Sequence, residues 1–186
     1  MFRQWNHLIV RLDIWHMMRR IARGIRTESH QLYGVFMAKL SSCIFEWDAG
    51  DMEQLCAAKA AELRFTPSEA KLRLNRREMA LHCRRRTRGT EETTTLISSL
   101  IASLSGDAGR DTLGVELFDT DVMTQVWKEE QRHIQCIQDP DPEVVQLYTE
   151  TGSLVKGGIR LKTYRCARGT VSLESFHCHL VRFIPG

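Results

Sequence analysis

Asp13 and His16 stand three residues apart in "RLDIWHMMRR", residues 11–20. A carboxylate and an imidazole so placed can do chemistry. The carboxylate can hold a cation or orient the ring, because hard divalent ions prefer oxygen and a hydrogen bond to one ring nitrogen sets the role of the other. The same spacing has a plainer reading. Asp13 suits the N-cap of a helix that begins after it, with His16 half-buried on the first turn. Near the other end, Glu174 lies in the first turn of a segment that reads as a helix, "TVSLESFHCHLVRFIPG". An acid there is favoured by the helix dipole whatever else it does. His177 and His179 flank Cys178, with Cys166 upstream, and His133 precedes Cys136 by three residues. Neither group contains the paired CxxC or HxxxH spacing that a zinc site uses. The chain also lacks a phosphate-cradling glycine loop and a nucleophile elbow.

Cations are the other chemical resource. The chain carries 20 arginines among its 26 basic residues. Residues 1–88 hold 17 basic and 9 acidic side chains, whereas residues 89–186 hold 9 and 14. Arginine's planar fork matches phosphate and carboxylate, so the basic half can meet nucleic acid or pair with the acidic half. The densest groups are "HCRRRTR", with Arg84, Arg85, Arg86 and Arg88, the pair Arg76 and Arg77, and the pair Arg19 and Arg20. These eight are the candidate phosphate contacts.

What positions them is mostly helix. "NHLIVRLDI" reads as a short strand ending at Asp13, and a helix is expected from about Trp15 to Gly24. "HQLYGVFMAKLSSCIFEWD" has an apolar stripe at 3.6-residue spacing. "AGDMEQLCAAKAAELRF" is rich in helix formers. Thr66, Pro67 and Glu69 open a further helix that runs toward the basic cluster and Gly89. Helices are also expected in "TEETTTLISSLIASLSG" and, after the loop "DAGRDTLGVELF", in "DTDVMTQVWKEEQRHIQCIQD". A hairpin with arms at Val144–Thr149 and Ile159–Cys166 follows. No apolar run is long enough to span a membrane, and the N-terminus lacks the form of a signal peptide. Six scattered cysteines suit reduced thiols, so an intracellular location is expected.

Taken together, "RLDIWHMMRR" resembles the C/D-x-x-H motif of cut-and-paste DDE transposases of the Mutator-like and hAT-like kind, and "GTVSLESFHCHL" resembles the segment carrying that family's last catalytic acid. "ESHQLYGVFMAKLSSCIFEWDAGD" and "EMALHCRRRTRG" extend the likeness to transposon-derived proteins of animal genomes. The resemblance implies a mainly α chain with a small β component: a partial ribonuclease-H-like core interrupted by a long helical insertion. Residues 1–26 and 143–186 would supply the core and 27–142 the insertion. It implies Asp13 and His16 as the motif pair and Glu174 as a vestigial catalytic acid and Mg²⁺ ligand. In that family two aspartates and one glutamate hold two Mg²⁺ ions for phosphoryl transfer. Phe2 to Leu12 contain no acid, so the upstream aspartates are missing, catalysis is expected to be lost, and no cofactor is expected in this chain. DNA, and with it the nucleus, is the implied partner and compartment. The alternative is a helical domain that binds protein.

Overall fold

Caps decide where the helices begin. The protein is described here by a computed structural model covering residues 11–168. Asp13 Oδ1 accepts from the His16 backbone N–H at 3.0 Å and so caps helix α1, Ile14–Ile21. Ile14, Met17, Met18 and Ile21 are its buried face, the i, i+3, i+4, i+7 stripe of a helix laid on a core. Asp48 caps α3, Ala49–Leu63, through the Asp51 N–H. Thr66 and Glu69 form a capping box for α4, Pro67–Leu72, and Asn75 and Glu78 form a second for α5, Arg76–His82. That second box divides what the sequence suggests is one helix, because it satisfies the N-terminal amides of a fresh start. Helix α2, Tyr33–Ile44, also ends early. Phe45–Trp47 leaves it as strand β1 and pairs antiparallel with β2, Arg85–Thr87, in the register Phe45↔Thr87, Glu46↔Arg86, Trp47↔Arg85. Helix accounts for 55% of the structure and strand for 17%, which makes the fold mainly α with two small antiparallel sheets.

The chain forms two compact units, each built from separated segments. In the described residues the first comprises 11–44 and 88–138. It contains α1, α2, α6 (Thr90–Ser103) and α7 (Thr120–Glu130), with 3-10 turns at Gly106–Gly109 and Gln131–Ile137. The last of these replaces the end of the helix expected through Asp139. Met17, Ile21, Phe36, Leu40, Ile44, Ile97, Leu117 and Ile134 are fully buried. Phe36 meets Phe118 edge-to-face with centroids 5.3 Å apart. Gly24 lies against α7, where a Cβ would fall 2.8 Å from the Met123 Cα. Glu130 is fully buried, and its Oε1 pairs with Arg20 Nε at 2.9 Å and with an Arg23 terminal nitrogen at 3.4 Å. Residues 11–13 have no regular structure, and the rest of the expected opening strand lies outside the described residues.

The second unit comprises 45–87 and 139–168. Its hairpin joins β3, Tyr148–Lys156, to β4, Ile159–Cys166, with Lys156 opposite Ile159. Gly157 and Gly158 both have positive φ, as a two-residue turn matched to strand twist demands. The first arm starts four residues later than the alternating pattern suggests. Leu55, Ala58, Cys83 and Leu161 form the core, with Trp47, Met52, Leu74, Met79, Leu154 and Ile159 packed around them. Glu78 ties three elements together. It accepts from Lys59 Nζ at 2.7 Å, Lys156 Nζ at 3.3 Å and the Asn75 N–H at 3.2 Å.

Candidate nucleic-acid interface

Most of the expected phosphate-binding arginines are occupied within the fold. Strand β2 carries Arg85 and Arg86, the middle of the run, so their side chains alternate instead of lining one helical face. Arg84 grips Asp51 with two bonds, Nε to Oδ2 at 2.7 Å and a terminal nitrogen to Oδ1 at 3.0 Å, and its guanidinium lies 5.2 Å from the Tyr164 ring. The hydrogen bond to Asp51, against some burial, raises the Arg84 pKa. Arg85 stacks on Phe45 at 4.6 Å and Trp47 at 5.2 Å. Arg86 faces Glu46 across the β1–β2 ladder and bonds it at 2.6 Å. Arg88 pairs with Glu92 at 3.0 Å and donates to the Ser42 carbonyl. Arg19 meets Glu28 and the Tyr33 hydroxyl, each at 2.8 Å, and Arg20 serves the buried Glu130. Paired guanidinium groups can still touch a phosphate, but each must then share or surrender a carboxylate.

Arg76 and Arg77 differ. Both are exposed at the start of α5 and have no ion-pair partner among the described residues. They end a surface stretch that opens at Arg64. Residues 64–77 hold five cations, Arg64, Lys71, Arg73, Arg76 and Arg77, and one acid, Glu69. All five cations are exposed. The Glu69 carboxylate is taken by the capping box, accepting from the Thr66 N–H at 2.9 Å and the Thr66 hydroxyl at 2.7 Å, and these bonds hold its pKa below the ordinary value. Burial works to raise the carboxyl of the next acid, Glu78, but the bonds from Lys59, Asn75 and Lys156 outweigh it and keep it low. Both carboxylates are therefore ionised but engaged, Glu69 in its cap and Glu78 with Lys59 and Lys156, and neither forms an ion pair with a cation of the stretch.

Apolar side chains interrupt these cations. Phe65 is 40% exposed and Leu72 86%. Arg73 holds its guanidinium 6.0 Å from the centre of the Phe65 ring. Arg64 caps α3 in the left-handed region, φ 56° and ψ 41°, where an L side chain costs roughly 1–2 kcal/mol relative to glycine. Arg76 and Arg77 stand out in the sequence as an adjacent pair, whereas Arg64, Lys71 and Arg73 are single cations that do not. Their signal is an apolar residue beside each cation, in a stretch where neither type keeps one helical face.

Asp13 and His16 are together, but as cap and capped backbone, and Glu174 lies outside the described residues. Among those residues no three or more His, Cys, Asp or Glu side chains gather as a metal site. Cys83 is buried, and burial, reinforced by the charge of Asp51, pushes its thiol up to about 12. No helix among the described residues is long and apolar enough to cross a membrane. No family model matches the chain, and neither does any curated protein or solved structure.

Proposed function

We propose that the protein binds nucleic acid through residues 64–77 and descends from a DDE transposase without retaining its phosphoryl-transfer chemistry. On this reading Glu174 is the remnant of that family's last acid. The observation that carries the binding role is the set of five exposed cations whose only acid is already hydrogen-bonded. Each cation that meets a phosphate releases condensed counterions, worth about 0.7–0.9 in the slope of log affinity against log salt. Five contacts give a slope of roughly 3.5–4.5. Replacing Lys71, Arg73, Arg76 and Arg77 with glutamine lowers the slope by about 3 and weakens binding to every sequence alike. Replacing the exposed Lys128 and Arg132 with glutamine leaves it unchanged. A wild-type protein that binds neither duplex nor single strand at low salt refutes the role.

The protein-binding alternative has its own support in the first unit. Trp15 is 58% exposed and Leu113 is 83% exposed, and large apolar side chains held in water are common at interfaces between proteins.

A further inference from the structure

We infer that the 64–77 surface takes single-stranded nucleic acid, with an unpaired base stacked on Phe65 beside Arg73. This deepens the proposed function and rests on it. Phosphate contacts alone do not distinguish a duplex from a single strand, whereas an aromatic ring open to solvent among the cations does. Bases of a duplex are stacked on one another and keep their faces from an aromatic side chain, while unpaired bases stack on aromatic rings and arginine planes. Phe65 is part-exposed, Arg73 lies against it, and Arg64 and Lys71 bracket it in sequence.

The backbone that carries the ring is also fixed before any ligand arrives. The Phe65 N–H donates to the Ala60 carbonyl at 3.0 Å, and Thr66, the next residue, is locked by both halves of the capping box. A pinned platform loses little entropy on binding. Directly before it, the chain keeps an arginine at a left-handed position that glycine would fill without strain. Departures of this kind gather at functional positions. An anionic membrane is the other surface that attracts cations mixed with apolar groups, but membrane-surface helices present one continuous apolar face. Here α4 has six residues, and Phe65 and Leu72 are separated by its length.

Fluorescence anisotropy of the full chain tests this with four probes: short oligothymidylate, oligouridylate, an abasic sugar-phosphate strand of equal length, and a duplex. Single strands with bases are expected to bind about 5- to 150-fold more tightly than the abasic strand, the range that one stacked base provides. Phe65→Ala removes that advantage and leaves the salt slope unchanged; Phe65→Trp retains it. Preference for thymidylate or uridylate identifies the strand as DNA or RNA, and either supports the inference. Equal affinity for based and abasic strands, or a duplex preferred over both, overturns it while the proposed function stands. Binding to phosphatidylserine vesicles with no binding to any oligonucleotide overturns both.

Discussion

Gly157→Ala is expected to be far more damaging than Gly158→Ala, although the two glycines are neighbours in one turn. Both have positive φ, 53° and 78°, so both variants lose the glycine-specific conformation, at about 1–2 kcal/mol. Their surroundings separate them. A Cβ on Gly158 meets nothing within 4 Å. One on Gly157 would stand 2.6 Å from the Ala58 carbonyl oxygen, 2.7 Å from the Ala61 Cβ and 2.8 Å from the Glu62 nitrogen. Those atoms belong to the backbone and shortest side chains of α3, so no flexible group can turn aside. The hairpin must retreat, which loosens Leu161 and Leu154 from Leu55 and Ala58. Overpacking of that kind adds about 1–3 kcal/mol. The totals are about 2–5 kcal/mol for Gly157→Ala and about 1–2 for Gly158→Ala. In a chain of this size each kcal/mol lowers Tm by about 2–4 °C. Urea titration followed by tyrosine and tryptophan fluorescence compares the pair directly. Equal loss in the two variants would show that the hairpin tip does not rest on α3, and the second unit's core would need redrawing.

Three further outcomes follow from the ion pairs and thiols. Glu78 has a folded pKa below its ordinary 4.5, so the stability it contributes is present above that pH and is lost as the pH falls through the folded value. Glu78→Gln is expected to flatten the acid limb of a stability-against-pH curve; an unchanged limb contradicts its bridging role. Glu130 is buried with Oε2 unpartnered, while Arg20 and Arg23 keep 39% and 58% of their side chains exposed. Glu130→Met should therefore cost no more than about 1 kcal/mol, whereas the Arg20→Met, Arg23→Met double variant strands a buried charge and costs about 3–5 kcal/mol, as urea unfolding would report. With an aromatic disulfide reagent at pH 8, exposed Cys166 should react in the folded protein and Cys83 only on unfolding. Rapid labelling of Cys83 would refute its burial.

Local chemistry was readable from the sequence where a signal is complete within a few residues. The Thr66-Pro67-Glu69 start, the apolar stripe of α2 and the glycine turn between Lys156 and Ile159 all appear in the fold. Asn75 and Glu78 carry the same capping signature as Thr66 and Glu69, yet it is masked by helix formers on both sides. Partnerships across long separations were not readable. Phe45–Trp47 becomes a strand because residues 85–87 come to lie beside it, and nothing near Phe45 announces that. Likewise Arg84 looks like a free cation until the fold brings Asp51, 33 positions away, against it. Charge counted along the chain therefore overstates the basic surface. Among the described residues the second unit carries 14 basic and 11 acidic side chains, the first 10 and 11. What matters is which cations lack a carboxylate, and that depends on tertiary pairing.

The most direct measurement is the salt dependence of oligonucleotide affinity for the wild-type chain beside the Lys71, Arg73, Arg76 and Arg77 glutamine variant, with Arg84→Gln as comparison. A slope that drops by about 3 in the first variant and by much less in the second is the expected result. A slope that falls with Arg84 and ignores the other four would place the phosphates beside Arg84, just before β2, and contradict the assignment to residues 64–77.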